Sequence, residues 1–152
     1  MKKIKIAHIL HSVGGVDVSL RFILENINTD KFETIVVHGE NDTKDIYIDR
    51  NSNPLNEYRV SIFRDISIMQ DIKALISVYK IIKKERPNLI HCHSTKGGII
   101  GRIVGYLLNI NVLHTPQAFS FLSTNNTFKK RIYLLLEKLF KFKNSYLLAS
   151  SN

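Results

Sequence analysis

The sequence predicts an α/β domain in which a mostly parallel sheet carries helices on both faces. The main observation is that short apolar runs alternate along the whole chain with longer amphipathic segments, a pattern typical of βαβ units. The second is a Gly14-Gly15 turn that joins the first apolar run to the first amphipathic segment. We therefore expect about six strands in the spatial order 3-2-1-4-5-6.

The predicted strands are short runs rich in apolar residues and bounded by turn or helix signals. They are residues 3–11, 32–38, 58–63, 89–93, 111–115 and 146–150. The predicted helices have apolar residues at helical spacing and cover residues 16–27, 67–86, 95–108 and 126–143. In the second helix we expect one apolar stripe made of Met69, Ile72, Leu75, Ile76, Tyr79 and Ile82. This arrangement is Rossmann-like.

Length and composition indicate one soluble globular domain. The chain has 152 residues, of which 44% are hydrophobic and 23% charged, so disorder is not expected. No apolar run approaches the ~18 residues of a membrane-spanning helix, and we read no signal peptide. Cys92 is the single cysteine, so no disulfide framework is expected. Together these features predict a cytoplasmic location.

The charge balance indicates a partner rich in phosphate. The formal net charge is +9, which suits a nucleotide, an anionic membrane surface or nucleic acid. Charge alone does not choose among them. The sequence contains no known nucleic-acid-reading motif, so we expect no nucleic acid partner.

Three segments with unusual chemistry are predicted to meet at one edge of the sheet. In open α/β sheets, ligands bind outside the carboxyl ends of the strands. Residues 12–16, 93–98 and 115–121 each follow a predicted strand there. We expect the ligand site to lie among them.

Gly14 and Gly15 begin the first of these segments. Glycine lets backbone approach a ligand closely, and a helix N-terminus presents free N–H groups that favour an anion. A phosphate site and a simple tight turn are both consistent with two glycines. The segment has neither the G-x-G-x-x-G pattern nor the P-loop pattern.

The second segment follows His91, Cys92 and His93. Because strand side chains alternate, the two histidines face one way and the cysteine the other, so we expect no metal site and a core role for Cys92. Lys96 follows at the start of a helix. The glycines of that helix, spaced by four, predict close packing against the sheet or a neighbouring helix, and they are Gly97, Gly101 and Gly105.

The remaining segments leave alternatives open. Phe119 and Phe121 follow Pro116 in a loop, where they suit stacking on a sugar or a lipid, or a small core beneath the loop. The basic segment 126–143 is predicted to pack its apolar face, including Leu135 and Leu139, on the sheet. Such a helix also suits an anionic membrane, through Lys129, Lys130 and Arg131.

Taken in order, these segments resemble the N-terminal domain of retaining family-four glycosyltransferases, which have the GT-B fold. The matching residues are Gly14-Gly15-Val16-Asp17 after the first strand, with Asp17 where glutamate is more usual. They continue with His93-Ser94-Thr95-Lys96-Gly97-Gly98 and Gly101-Arg102. The last match is Thr115-Pro116-Gln117-Ala118-Phe119-Ser120-Phe121, with Gln117 where the family has histidine.

The resemblance implies a domain organisation and a reaction. Residues 1–152 would form a single acceptor-side domain, and a C-terminal domain absent from this chain would bind most of the nucleotide-sugar donor. Transfer to a glycan or lipid-linked acceptor would retain the anomeric configuration, without a metal or other cofactor, in surface polysaccharide synthesis. The chain alone would be inactive.

The resemblance also implies residue roles. Gly14, Gly15 and Val16 would contact the donor diphosphate. Four residues would contact the acceptor or a phosphate, namely His93, Ser94, Lys96 and Phe119. Gln117 would position substrate without transferring a proton, because an amide does not titrate, or it would only cap backbone groups of its loop.

Other readings of the sequence remain open. One is a stand-alone nucleotide- or phosphosugar-binding α/β module without catalysis. Another is a flavodoxin-like regulatory domain, although neither an acidic cluster nor a flavin-binding loop is evident. The third, a nucleic-acid-binding protein, rests on charge alone.

Overall fold

The structure, a computed structural model, describes residues 2–63, 67–116, 127–139 and 142–148. Its strands form one sheet in the order β3-β2-β1-β4-β5-β6. Every neighbouring pair is parallel. The strands are β1 (Ile4–Ile9), β2 (Phe32–Gly39), β3 (Asn56–Val60), β4 (Leu89–His93), β5 (Asn111–Thr115) and β6 (Ser145–Leu147). The predicted fold class and strand order are confirmed.

Helices connect most of the strands and begin close to the predicted positions. They are α1 (Gly15–Asn26), α2 (Ile68–Glu85), α3 (Ser94–Leu108) and α4 (Thr127–Leu139). Two of them end at a residue in the left-handed conformation, Arg86 with φ 47° after α2 and Asn109 with φ 54° after α3. Asparagine adopts this conformation more easily than most residues, and Pro87 prevents α2 from continuing.

The core lies on both faces of the sheet. On one face, α2 and α3 cover β-strand residues, in a buried cluster that includes Ala7, Ile9, Val37, Ile90 and Cys92. On the other face, α1 covers a smaller cluster of Leu10, Leu20, Leu24, Val36 and Tyr47. Helices therefore pack on both sides, and Cys92 is a core residue as predicted.

The buried face of α2 differs from the predicted stripe. Ala74, Val78 and Ile82 are fully buried. Met69 and Ile72 are 71% and 52% exposed, and Ile76 is 49% exposed. The prediction was wrong for these three, because the helix turns the face that carries Ala74, Val78 and Ile82 toward the sheet and leaves other large apolar side chains outside.

The glycines of α3 allow this helix to lie directly on the sheet. A Cβ atom on Gly97 would be 2.7 Å from the carbonyl oxygen of Ile9, and one on Gly101 would overlap the sulfur of Cys92. A Cβ atom on Gly105 would overlap Val112 on β5. The predicted close packing is confirmed.

The predicted packing of α4 is wrong for the residues that can be assessed. Leu135 and Leu139 are 56% and 60% exposed, so they do not pack on the sheet. Beyond the helix, the ring of Phe142 stacks on Tyr106 of α3, with 4.5 Å between ring centroids. Lys130 and Arg131 are exposed.

Candidate functional site

The loop after β1 presents backbone to the carboxyl edge of the sheet. Gly14 has a φ of 57°, which strains any residue with a side chain, and it is the N-cap of α1. No side chain caps the first turn of this helix. A Cβ atom at Gly14 or Gly15 would meet nothing within 4 Å, so space is open beside the free N–H groups of the helix. Both features suit an anion.

A network of side chains fixes this loop to the segment after β2. The carboxylate of Asp17 accepts hydrogen bonds from Ser12 Oγ and Tyr47 Oη, each at 2.7 Å, and from Arg21 Nε at 2.9 Å. Arg21 also lies over the Tyr47 ring, 4.4 Å from its centroid. Burial acts to raise the pKa of Asp17, but these hydrogen bonds outweigh it and lower that pKa below its ordinary value. The loop after β1 is therefore held beside the ionised carboxylate of Asp17, whose charge is stabilised by these hydrogen bonds.

Lys96 lies in the first turn of α3 and forms an ion pair. Its Nζ is 2.7 Å from Oδ1 of Asp71, in the first turn of α2. Asp71 also accepts a hydrogen bond from the backbone N–H of Ser67 at 3.1 Å. A phosphate that reaches Lys96 would therefore compete with a fixed carboxylate.

His93 lies behind the edge rather than at its surface. It is fully buried, and its Nε2 is 3.1 Å from Nδ1 of His8 on β1. The His91 ring is 4.1 Å from that of His93, and its Nε2 pairs with Thr115 Oγ1 at 2.9 Å. Burial lowers the pKa of His8 to about 3 and that of His91 to about 4, so the cluster is neutral at pH 7.

His8 was not identified from the sequence. It joins the cluster because β1 pairs with β4 in a register that places His8 beside His91. The predicted strand order together with the alternation of side chains contains this signal. Ligand atoms of His8, His91 and His93 lie within 4.8 Å of one another, a spacing that a metal ion requires, although the sequence predicts no metal here.

The structure describes only part of the predicted site. Gly14, Gly15, Val16, Ser94 and Lys96 lie at the carboxyl edge on α1 and α3. Gln117 and Phe119 are outside the described residues, which reach Pro116 before the chain resumes in α4. Their predicted contacts with substrate remain predictions. Among the described residues, no helix is both long and apolar enough to cross a membrane.

Comparison with known families identifies the chain. The family model described as glycosyl transferase 4-like matches residues 9–151. The chain belongs to the glycosyl transferase 4-like family. The resemblance carried by the three segments is thereby confirmed.

Two curated relatives are similar to this chain in sequence. The chain is 36% identical over 139 residues to UDP-Gal:alpha-D-GlcNAc-diphosphoundecaprenol alpha-1,3-galactosyltransferase of Escherichia coli, covering 89% of this chain and 35% of the relative. It is 29% identical over 80 residues to the capsular polysaccharide biosynthesis glycosyltransferase CapM of Staphylococcus aureus, covering 52% of this chain and 21% of the relative. The chain thus spans about a third or less of the length of these relatives.

Solved structures support the fold assignment. UDP-N-acetylglucosamine 2-epimerase of Rickettsia bellii superposes with a TM-score of 0.68 at 15% identity, covering 99% of this chain and 40% of that one. At this identity the likeness concerns the fold alone. It shows that the Rossmann-like arrangement of this glycosyl transferase 4-like chain also occurs as one part of a larger enzyme.

Proposed function

We propose that this protein transfers a sugar from a nucleotide-sugar donor to a glycan or lipid-linked acceptor in surface polysaccharide synthesis. Membership of the glycosyl transferase 4-like family over residues 9–151 carries the proposal. The E. coli relative is named for UDP-galactose and a GlcNAc-diphosphoundecaprenol acceptor, so these are the first substrates to test. The reaction retains the anomeric configuration and uses no metal or other cofactor.

The described edge suits the donor diphosphate. Gly14 and Gly15 place backbone N–H groups beside open space, and the positive end of the α1 dipole faces the same edge. The N–H of Val16 donates to the carbonyl oxygen of Val13 at 3.3 Å, so a diphosphate that contacts Val16 would compete with that bond. Ser94 and Lys96 contact a phosphate of donor or acceptor. Gln117 positions substrate and Phe119 stacks on it, while His93 supports the edge from behind.

The proposed organisation places this chain on the acceptor side of a cleft. A second, donor-binding domain completes the site, which agrees with the greater length of the relatives. The chain alone is then inactive. The alternative, a nucleotide- or phosphosugar-binding module without catalysis, predicts donor binding but no transfer by the protein with all its natural sequence.

Gly15→Val should reduce transfer by about 100-fold, since its side chain would occupy the space that the diphosphate needs, a loss comparable to removing one oxyanion donor. The measurement is transfer from UDP-galactose to GlcNAc-diphosphoundecaprenol by the protein including any natural sequence that follows Asn152. The fold should survive, because a Cβ atom at Gly15 meets nothing within 4 Å.

Phe22→Ala is the matched control for this variant. Phe22 is 68% exposed on the same helix, away from its N-terminus, so its removal should leave transfer unchanged. Full activity of Gly15→Val would contradict the diphosphate site. The absence of transfer by the wild type, with retained donor binding, would favour the binding module.

The cytoplasmic, peripheral location is proposed from the lipid-linked acceptor of the relative and from the basic residues of α4. Lys130→Glu with Arg131→Glu should weaken binding to vesicles of anionic phosphatidylglycerol by more than about 20-fold, since each basic residue contributes ~1 kcal/mol. Lys2→Glu with Lys3→Glu makes the same charge change before β1 and should have little effect. Equal sedimentation of the wild type with anionic and with neutral phosphatidylcholine vesicles would contradict the electrostatic account.

A further inference from the structure

A histidine–aspartate pair lies next to the glycine loop. His11 immediately precedes the loop, and its Nδ1 is 2.7 Å from Oδ1 of Asp42, which follows β2. The Asp42 side chain is only 2% exposed. Its Oδ2 accepts hydrogen bonds from the backbone N–H groups of Ser12 and of Gly39, the latter at 2.8 Å.

The surroundings of Asp42 are built to hold a carboxylate. A Cβ atom on Gly39 would overlap the Asp42 carboxylate and lie 2.6 Å from the carbonyl oxygen of Ile62, so only glycine allows this approach. Burial acts to raise the pKa of Asp42, but the close His11 side chain and hydrogen bonds from two backbone N–H groups outweigh it. The pKa of Asp42 is therefore below its ordinary value, and the carboxylate is ionised at neutral pH.

An ionised Asp42 decides which nitrogen of His11 carries the proton. The carboxylate only accepts hydrogen bonds, so it favours the tautomer protonated at Nδ1. The Nε2 atom is then a hydrogen-bond acceptor. Nδ1 is buried and close to Asp42 without a well-aligned hydrogen bond, while the His11 side chain is 19% exposed, so the accessible part of the ring is not the part that faces Asp42.

The pair lies beside the groups assigned to phosphate. Residues Ile9 and Leu10, just before His11, pack against Gly97 in the first turn of α3, the turn that carries Lys96. On its other side, His11 is followed by Ser12 and the glycine loop. A substrate bound at the glycine loop and Lys96 would therefore pass close to the pair.

The charge of the pair indicates the kind of group it binds. With neutral histidine the pair carries one negative charge, and with protonated histidine it carries none, so it does not attract a phosphate. A sugar hydroxyl is neutral and can donate to Nε2. We propose that His11, oriented by Asp42, binds a hydroxyl group of the acceptor sugar. This inference rests on the proposed function.

The test compares acceptor and donor kinetics in the protein with all its natural sequence. With GlcNAc-diphosphoundecaprenol as the varied substrate, His11→Ala should lower kcat/KM roughly three- to tenfold, the effect of losing one hydrogen bond between neutral groups. The KM for UDP-galactose should not change. His11→Gln should recover part of the loss, because an amide oxygen can accept the same hydrogen bond.

Asp42→Asn tests the orienting role. Like His11→Ala, it should lower kcat/KM for the acceptor. The ¹⁵N chemical shifts of the His11 ring should show that the proton moves from Nδ1 to Nε2. Glu85→Gln is the matched control, since it removes a carboxylate from the Lys5–Glu85 ion pair at the opposite edge of the sheet and should change neither measurement.

Three outcomes separate the ideas. An unchanged acceptor kcat/KM in His11→Ala, with an active wild type, would overturn the inference and leave the proposed function standing. A wild-type His11 protonated at Nε2 would overturn the orientation by Asp42. An inactive wild type would overturn the proposed function instead.

Discussion

Gly101→Ala is expected to destabilise the protein by about 2–3 kcal/mol, although alanine normally stabilises a helix relative to glycine by up to ~1 kcal/mol. The added methyl would overlap the sulfur of Cys92, a fully buried residue on the central strand β4, and would lie 3.4 Å from the Cδ1 atom of Ile9. Neither the helix nor the strand can move without disturbing the core. Urea unfolding followed by circular dichroism measures the change.

A double-mutant cycle identifies the cause. Cys92→Ala removes the overlapping sulfur, so Gly101→Ala should cost much less in that background than in the wild type. Gly15→Ala is the control substitution, because the same methyl there meets nothing within 4 Å and should leave stability almost unchanged. Strictly additive effects of Gly101→Ala and Cys92→Ala would show that the overlap is not the cause.

The sequence was sufficient for the architecture because the relevant signals are local. Alternating strand and helix patterns give the parallel sheet, and the glycine turn after the first strand predicts the edge where a ligand would bind. The glycine spacing in α3 likewise predicts its close packing. Glycines destabilise a helix, and close contact with a neighbouring element along their shared stripe offsets that cost.

The face that α2 buries was harder to predict. Apolar residues occupy more of this helix than the sheet can cover, and Ala74 carries little weight in a hydrophobic pattern although it is fully buried. The larger Met69 and Ile72 therefore dominate the apolar pattern from which the buried face was predicted, although both are exposed. Which face of α2 packs on the sheet depends on where β3 and β4 place the ends of the helix. The periodicity of apolar residues within α2 does not contain that information.

The polar parts of the site depend on contacts between distant segments. His8 and His93 are 85 residues apart and meet through the register of β1 with β4. Asp42 lies in a segment with no regular pattern, and only the folded chain shows its approach to Gly39 and His11. The sequence indicates which types of residue lie at the carboxyl edge of the sheet. The pairing of His8 with His93 and of His11 with Asp42 becomes visible only in the folded chain.

Lowering the pH from 7 to 5 is expected to destabilise the protein by several kcal/mol. Burial lowers the pKa of His8 to about 3 and those of His91 and His114 to about 4, from 6.5 in the unfolded chain. Between pH 6.5 and about 4 the unfolded state therefore binds more protons than the folded state, and stability falls as the pH falls.

The size of this effect follows from linkage. At pH 5 each of these histidines is charged in the unfolded chain and still neutral in the folded one, which costs about 2 kcal/mol each and about 6 kcal/mol for the three. Domains are typically stable by only about 5–15 kcal/mol, so the protein should be close to unfolding at pH 5. Carboxylates contribute little in this range because their ordinary pKa values lie near 4.

The measurement is the free energy of unfolding in urea at pH 7, 6 and 5, for the wild type and for His8→Gln. Glutamine removes one titrating group while keeping a hydrogen-bonding side chain beside His93, so the pH dependence of stability should become shallower by up to about 1.4 kcal/mol per pH unit. His8 is the most informative position to substitute because it is fully buried. Burial is the main cause of its lowered pKa, and the charge of His91 is the second cause. If stability were the same at pH 7 and pH 5, the buried histidines would bind protons as readily in the folded protein as in the unfolded chain, and the neutral cluster behind the carboxyl edge would be wrong.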